Sequence, residues 1–289
     1  MKNLTKKISL AVLSTSLAFG ISSNYVKKDV SAATDSNRIV IAGSTALLPL
    51  TNQAAKEFKR SNPKVKVSIS GSSSVAGPQA VLKGSATIGA CDWDASQDVA
   101  DFNAFKGVKT YAVAATPFAT IVNKSNPVSN LSTAQLQDIY SGKITNWKQV
   151  GGTDHDITVV VRKIGSGTRV NYQAKALKGG KIMTSGNNLK LVGKSGDMKT
   201  AVSTDNYAIG FIDLAYVKGD IKALQYNGVS ATIGNVKNGK YPIWAYGYLV
   251  TKGEAKGANK KFIDYMRSSK FQNGSLVSLK FVPLKSIKK

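Results

Sequence analysis

The chain has 289 residues, 42% hydrophobic and 19% charged, a balance that excludes a disordered polymer and allows one large domain or two of ordinary size. Its single cysteine, Cys91, excludes a disulfide framework and a zinc site built on thiolates. A formal charge of +24 asks for polyanionic surroundings, but the lysines are scattered and no zinc-finger or RNA-recognition signature accompanies them, so nucleic acid is not an expected partner.

The first element read along the chain is a leader. Lys2, Lys6 and Lys7 precede an apolar stretch, residues 8–21, and "VSAAT" follows at 30–34. A basic start, an apolar middle and small residues at the end predict a secretory signal over residues 1–32, cut after Ala32. The alternative is an uncleaved anchor, for which the apolar run is short. Removing residues 1–32 takes away five lysines and one aspartate and leaves +20. For a secreted protein, anionic cell-wall polymers are the expected counterpart of that charge, against the plainer alternative of a solvated basic surface.

Strand and helix patterns then alternate. "RIVIAG" (38–43) reads as a strand, and the next segment puts Leu47, Leu50, Ala54 and Phe58 on one helical face. "VKVSISG" (65–71) alternates like a strand. "SVAGPQAVLKG" predicts a short helix with Pro78 near its first turn. "ATIGA" (86–90) is again strand-like. A second unit is expected from Thr116, with "PFATIVN" as a strand. "LSTAQLQDIYSG" is a helix boxed by Ser132 and Gln135 and closed by Gly142. Residues 156–161 form a strand, and a helix capped near Thr168 runs to Gly179. Residues 206–217 and 244–250 are further strands, and "NKKFIDYMRSS" is a late amphipathic helix. This order predicts an α/β fold with mostly parallel sheets, whose ligands sit beyond the carboxyl ends of strands.

Three strand-to-helix loops combine glycine with hydroxyls: "AGSTALLPL" (42–50), "SGSSSVAGP" (70–78) and "KIGSGTRVNY" (163–172). The last can be a plain tight turn, a catalytic serine or an anion cradle. The serine reading is weak, because a nucleophile elbow needs glycine where Ile164 stands. The one histidine, His155, lies in the polar loop "GGTDHD" and is expected to be solvated. "GKS" at 193–195 is not a nucleotide loop, because Asn188 replaces the required glycine. No metal cluster and no catalytic carboxylate pair can be picked out, so neither enzyme activity nor a cofactor is expected. Helix starts offer N–H groups and a positive dipole end. Arg162, just before the third loop, can add a charged contact.

Taken together over almost all of the chain after the leader, "AGSTALLPL", "SGSSSVAG", "TIGACDWD", "LSTAQLQDIYSGKITNWKQVGG", "VVVRKIGSGTR" and "AIGFIDLAYV" resemble the phosphate-binding proteins of Pst-type ABC transporters, in the periplasmic-binding-protein-like superfamily. "YSGKITNW" combined with "GSGTR" is the specific signal. The resemblance implies a two-lobed fold of the type II class, with a hinge and a central cleft. It implies capture of inorganic phosphate by a monomer outside the cell, at the cell envelope, and delivery to a membrane permease. Its lobes would be residues 36–116 with 246–289, and residues 117–245.

Carried over by position, Thr45 would give its hydroxyl and Ala46 its backbone N–H. Ser74 would act likewise at the second helix, with Ser73 as a rival. Asp92 would be the carboxylate facing phosphate, Arg162 the arginine, and Ser166, Gly167 and Thr168 the cradle. The chain departs from the family at Ile164, where a polar or acidic residue often stands. It also has no lipobox cysteine of the kind that Gram-positive members carry. A sulfate-like oxyanion, a phosphate ester undergoing reaction, and wall adhesion are the alternative functions.

Overall fold

The computed structural model describes residues 37–100 and 102–287, beginning with strand β1 (Arg38–Gly43). Helix α1 (Leu48–Ser61) follows, burying Leu50, Ala54 and Phe58 as its periodicity predicts, with Pro49 in the first turn, where a missing N–H costs nothing. Then come β2 (Lys66–Gly71), α2 (Ala76–Leu82) and the fully buried β3 (Ile88–Cys91). Strand β4 (Val108–Asn123) is long, and β5 (Asn130–Leu131) is short. Helix α3 (Thr133–Ser141) has the expected capping box and ends on Gly142 at φ 85°. The chain continues through β6 (Thr158–Arg162), α4 (Gly167–Lys175), β7 (Leu189–Val192), α5 (Ser195–Ser203) and β8 (Ala208–Asp213). It closes with β9 (Ile221–Ala223), β10 (Gln225–Tyr226), α6 (Ile233–Lys237), β11 (Trp244–Lys252), α7 (Gly257–Arg267), α8 (Ser269–Asn273) and α9 (Ser275–Ser278).

The main sheet runs β2-β1-β3-β11-β4-β8-β6-β7, with β9 also on β4. Its ends are parallel: β1 with β2 and β3, and β6 with β7 and β8. Its middle is antiparallel, where β11 pairs with β3 and β4, and β4 with β8. The mostly parallel expectation therefore holds at the two ends and fails at the seam, where β4 and β11 run antiparallel to their neighbours. β4 changes partner at Pro117: up to that residue it pairs with β11, and from Phe118 it pairs with β8. Proline has no N–H to give a ladder, so it suits such a junction. The expected start of a second unit near Thr116 falls inside this strand, which begins at Val108.

Two large apolar clusters flank the seam. Ile39, Ile41, Leu50, Phe58, Phe262 and Phe281 pack in one. Phe118, Tyr140, Trp147, Tyr172 and Phe211 pack in the other, with Met198, Val202 and Ile212 on the opposite face of β6 and β8. The expected signal at residues 1–32 lies outside the described residues, as do residues 36, 101, 288 and 289 of the expected first lobe. Among the described residues, no helix is long and apolar enough to cross a membrane.

Candidate functional site

The carboxyl ends of β1, β3, β6 and β8 and the starts of α1, α2, α4 and α5 meet at one place. β1 ends on Gly43 at φ 131°, where an added Cβ would lie 2.2 Å from the carbonyl oxygen of Ala90. That turn needs glycine for conformation and for space. It releases Ser44, whose Oγ donates to Asp92 Oδ1 at 2.5 Å and accepts from the Ala46 N–H at 3.1 Å. Asp92 is 2% exposed, just after β3. Burial pushes its carboxyl up, opposed by hydrogen bonds from Ser44 and Ser74, the charge of Arg162 and a bond from Thr168. Ser74 is buried here, and its Oγ accepts from the Asp92 N–H at 3.4 Å. Its rival Ser73 is only half-buried.

Arg162 is the last residue of β6 and is 2% exposed. Ile164 is 71% exposed and takes no part in steering it. Other groups hold the guanidinium. Its two terminal nitrogens donate to the Gly193 carbonyl at 2.7 Å, Ser195 Oγ at 3.1 Å and Thr45 Oγ1 at 3.3 Å. Nε is buried without a partner among the described residues. Burial draws the Arg162 pKa down, while Asp92 pulls it back up.

Ser166 caps α4, its Oγ accepting from the Arg169 N–H, so the cap lies two residues before the expected Thr168 and the helix ends at Lys175, not Gly179. Ser166, Gly167 and Thr168 are all buried. A Cβ on Gly167 would fall 2.5 Å from Asp92 Cβ and 2.5 Å from Ser74 Oγ, so the α4 backbone lies directly on those two residues. Asn171 Nδ2 reinforces the contact by donating to the Asp92 carbonyl at 2.7 Å. Thus the structure gathers all eight expected site residues, Thr45, Ala46, Ser74, Asp92, Arg162, Ser166, Gly167 and Thr168, into one buried polar cluster.

Sequence reasoning missed Ser44, Ser195, Tyr216 and Asp213. Ser195 begins α5, and its Oγ lies 3.0 Å from Thr45 Oγ1. The signal was present: "GKSG" follows a strand and precedes a helix, as the other three loops do, and failing as a nucleotide loop does not disqualify it as a helix start. Tyr216 Oη donates to the Thr45 carbonyl at 2.6 Å. His155 is exposed, as expected, and stacks on Tyr207. A cluster with a buried carboxyl, a buried guanidinium, several hydroxyls and four helix starts can surround a small oxyanion and satisfy each oxygen.

A family model for the PBP superfamily domain matches residues 30–270. The chain is 34% identical over 254 residues to the phosphate-binding protein PstS of Bacillus subtilis, covering 88% of this chain and 83% of that one. A phosphate-bound crystal structure of a phosphate ABC transporter substrate-binding protein from Clostridium perfringens is similar at TM-score 0.79 and 34% identity, covering 86% of this chain and all (100%) of that one. An ABC-type phosphate transport receptor from Vibrio cholerae is similar at TM-score 0.66 and 30% identity, over 84% of this chain and 99% of that one.

Proposed function

The chain belongs to the phosphate-binding proteins of the PBP superfamily, and from that premise we propose that it captures inorganic phosphate outside the cell and delivers it to the permease of an ABC transporter. The single observation that carries this reading is the buried cluster in which Asp92, Arg162 and four helix starts converge. Arg162 supplies the positive charge. The hydroxyls of Thr45, Ser74, Ser166 and Thr168 and the backbone N–H groups of Ala46 and Gly167 supply neutral donors. Asp92 accepts from the ligand's own O–H. An ionised carboxylate is only an acceptor, so it rewards an anion that carries a proton. Phosphate and arsenate carry one at neutral pH, and sulfate does not. Rejection of sulfate is thus part of the design. We read the protein as a monomeric binder rather than an enzyme, in keeping with the phosphate-binding proteins to which it is similar.

The lobes are residues 36–116 with 246–289, and residues 117–245. The pairing of Thr116 with Ala245 supports this division, because it sets the two expected crossings side by side in β4 and β11. Hinge closure about them buries the ligand. The +20 charge left after residues 1–32 supports retention at an anionic cell wall. A high-salt wash, which screens exposed charges beyond roughly 3 Å at 1 M, then releases the protein from cells. Retention through that wash points to an uncleaved leader.

Calorimetry of the mature protein tests the central reading. Phosphate binds one to one, arsenate competes, and excess sulfate does not. Equal binding of sulfate and phosphate, or turnover of a phosphate ester, overturns it.

A further inference from the structure

Asp213 is the last residue of β8. Val159 pairs with Ile209, so continuing that register sets Arg162 level with Ile212, one residue short of Asp213. The Asp213 side chain is 1% exposed. Oδ1 accepts from the Ala215 N–H at 2.7 Å, whereas Oδ2 is buried with no partner among the described residues. Three residues on, Tyr216 ties the same turn to the start of α1 through the Thr45 carbonyl.

The titratable groups that bear on it are Asp92 and Tyr216. From β4 it faces Phe118, which does not ionise, and the Tyr172 hydroxyl of α4 is engaged with Thr120. The charged side chains Lys194 and Asp197 at the start of α5 are exposed to solvent. Among the described residues, no cation bonds to Asp213. A buried carboxylate with one oxygen unpaired is costly, and a neutral acid is much less so. Burial, with the charge of Asp92 added, pushes the Asp213 carboxyl well above the ordinary range.

We propose that Asp213 serves the phosphate site as a neutral carboxylic acid whose Oδ2–H donates to a phosphate oxygen, opposite in role to Asp92, which accepts. The proposal rests on the phosphate reading above. It gives the two buried carboxyls different tasks through their surroundings: Asp92 has hydroxyl donors and therefore stays an acceptor, and Asp213 has none and therefore keeps its proton. A hydrogen bond from a neutral acid to an anionic oxygen is short and strong.

Phosphate titrations of wild type, Asp213→Asn and Asp213→Ala, from mildly acidic to alkaline pH, test it. Asparagine keeps an oxygen for the Ala215 N–H and places an NH₂ donor at the second position. It is expected to bind within about threefold of wild type at neutral pH, while alanine loses about tenfold or more. At alkaline pH the wild-type acid ionises beside the anion, so its affinity falls relative to Asp213→Asn; that ratio cancels the ionisation of phosphate itself. Infrared difference spectra are expected to show a protonated carboxyl band that moves on phosphate addition and is missing in Asp213→Asn. If the alanine variant does not fold, the ratio and the band decide. Wild-type affinity in a folded alanine variant, a ratio that does not change with pH, or absence of the band overturns the proposal. Failure of wild type to bind phosphate at any pH overturns the earlier reading instead, and the band is still readable without ligand.

Discussion

The two sides of the cluster are held in place by different means. The side built from β1, α2 and β3 is fixed backbone on backbone. A Cβ on Gly77 would lie 2.6 Å from the Ala90 carbonyl oxygen, and one on Gly89 would lie 2.6 Å from the Gly77 carbonyl. Helix α2 therefore rests on the strands with no side chain between them. The side built from β6, α4 and α5 is held by polar side chains: Arg162 on Gly193, Ser195 and Thr45, and Arg169 Nη1 on the Arg162 carbonyl at 2.8 Å. Close backbone packing positions Asp92, and only neutral hydroxyls such as Ser44 Oγ at 2.5 Å bond to its carboxyl. A side-chain network spends part of the capacity of the very groups proposed to meet the anion. The first side is rigid and intolerant of volume, whereas the second can exchange partners when an anion arrives.

That contrast orders the expected effects of mutation. The largest falls on the glycine side and appears as lost stability. Gly43→Ala meets a backbone oxygen at 2.2 Å and a φ of 131°. Strain and overpacking together cost about 2–6 kcal/mol, a large part of the total for a domain. Denaturant melts are expected to show it without any ligand present. A wild-type midpoint would mean that the close approach is not a constraint.

On the polar side the effect moves from folding to binding. Arg162→Ala is expected to melt close to wild type and to lose about 2–5 kcal/mol of phosphate affinity, because a buried charge-assisted contact is truncated. Calorimetry beside a thermal melt separates the two. An unstable Arg162→Ala with intact binding would reverse the comparison. Asp92→Asn comes next. The amide can donate where the carboxylate only accepted, so the preference for phosphate over sulfate is expected to shrink by about tenfold. An unchanged preference places the selectivity elsewhere.

The contrast also explains what could be read from the sequence. Three of the four helix starts announced themselves, because glycine and hydroxyls follow an apolar run at 42–50, 70–78 and 163–172. The fourth, at Ser195, follows β7, a strand of only four residues, too short for its alternation to stand out from the sequence. Strand β4 was read only from Pro117 onward, since a proline inside a strand normally marks its end. Here two different partners meet at that residue. Asp213 was read as lying inside a strand over residues 206–217, whereas the strand ends on it, and nothing local signals that one of its oxygens is buried alone. The cap at Ser166 rather than Thr168 depends on which hydroxyl reaches the Arg169 N–H, a matter of geometry and not of composition.

The smallest effect is expected at Ile164. The resemblance read from the sequence implies a polar or acidic residue there, and Ile164→Asp asks whether Arg162 is still short of a partner. The case for a gain is the unpaired Nε. The case against is stronger. Ile164 is 71% exposed, so a carboxylate there would stay in water, where an ion pair contributes about 0–1 kcal/mol. Arg162 is already held at 2.7 Å by the Gly193 carbonyl and at 3.1 Å by Ser195. A new negative charge beside the cradle also repels the ligand, and salt screens that repulsion. The terms nearly cancel, so phosphate affinity is expected to stay within about threefold of wild type, with a slight loss that fades as salt is added. Ser195→Ala removes one existing anchor and is expected to make Arg162 more dependent on a new one. Adding Ile164→Asp to that variant is therefore expected to raise affinity, where the same change in the wild-type background does not. Titrations of the four proteins in a double-mutant cycle read that coupling directly. A large gain in Ile164→Asp alone would show that the side-chain network leaves Arg162 under-held, and that the polar side of the cluster is the looser one even before an anion binds.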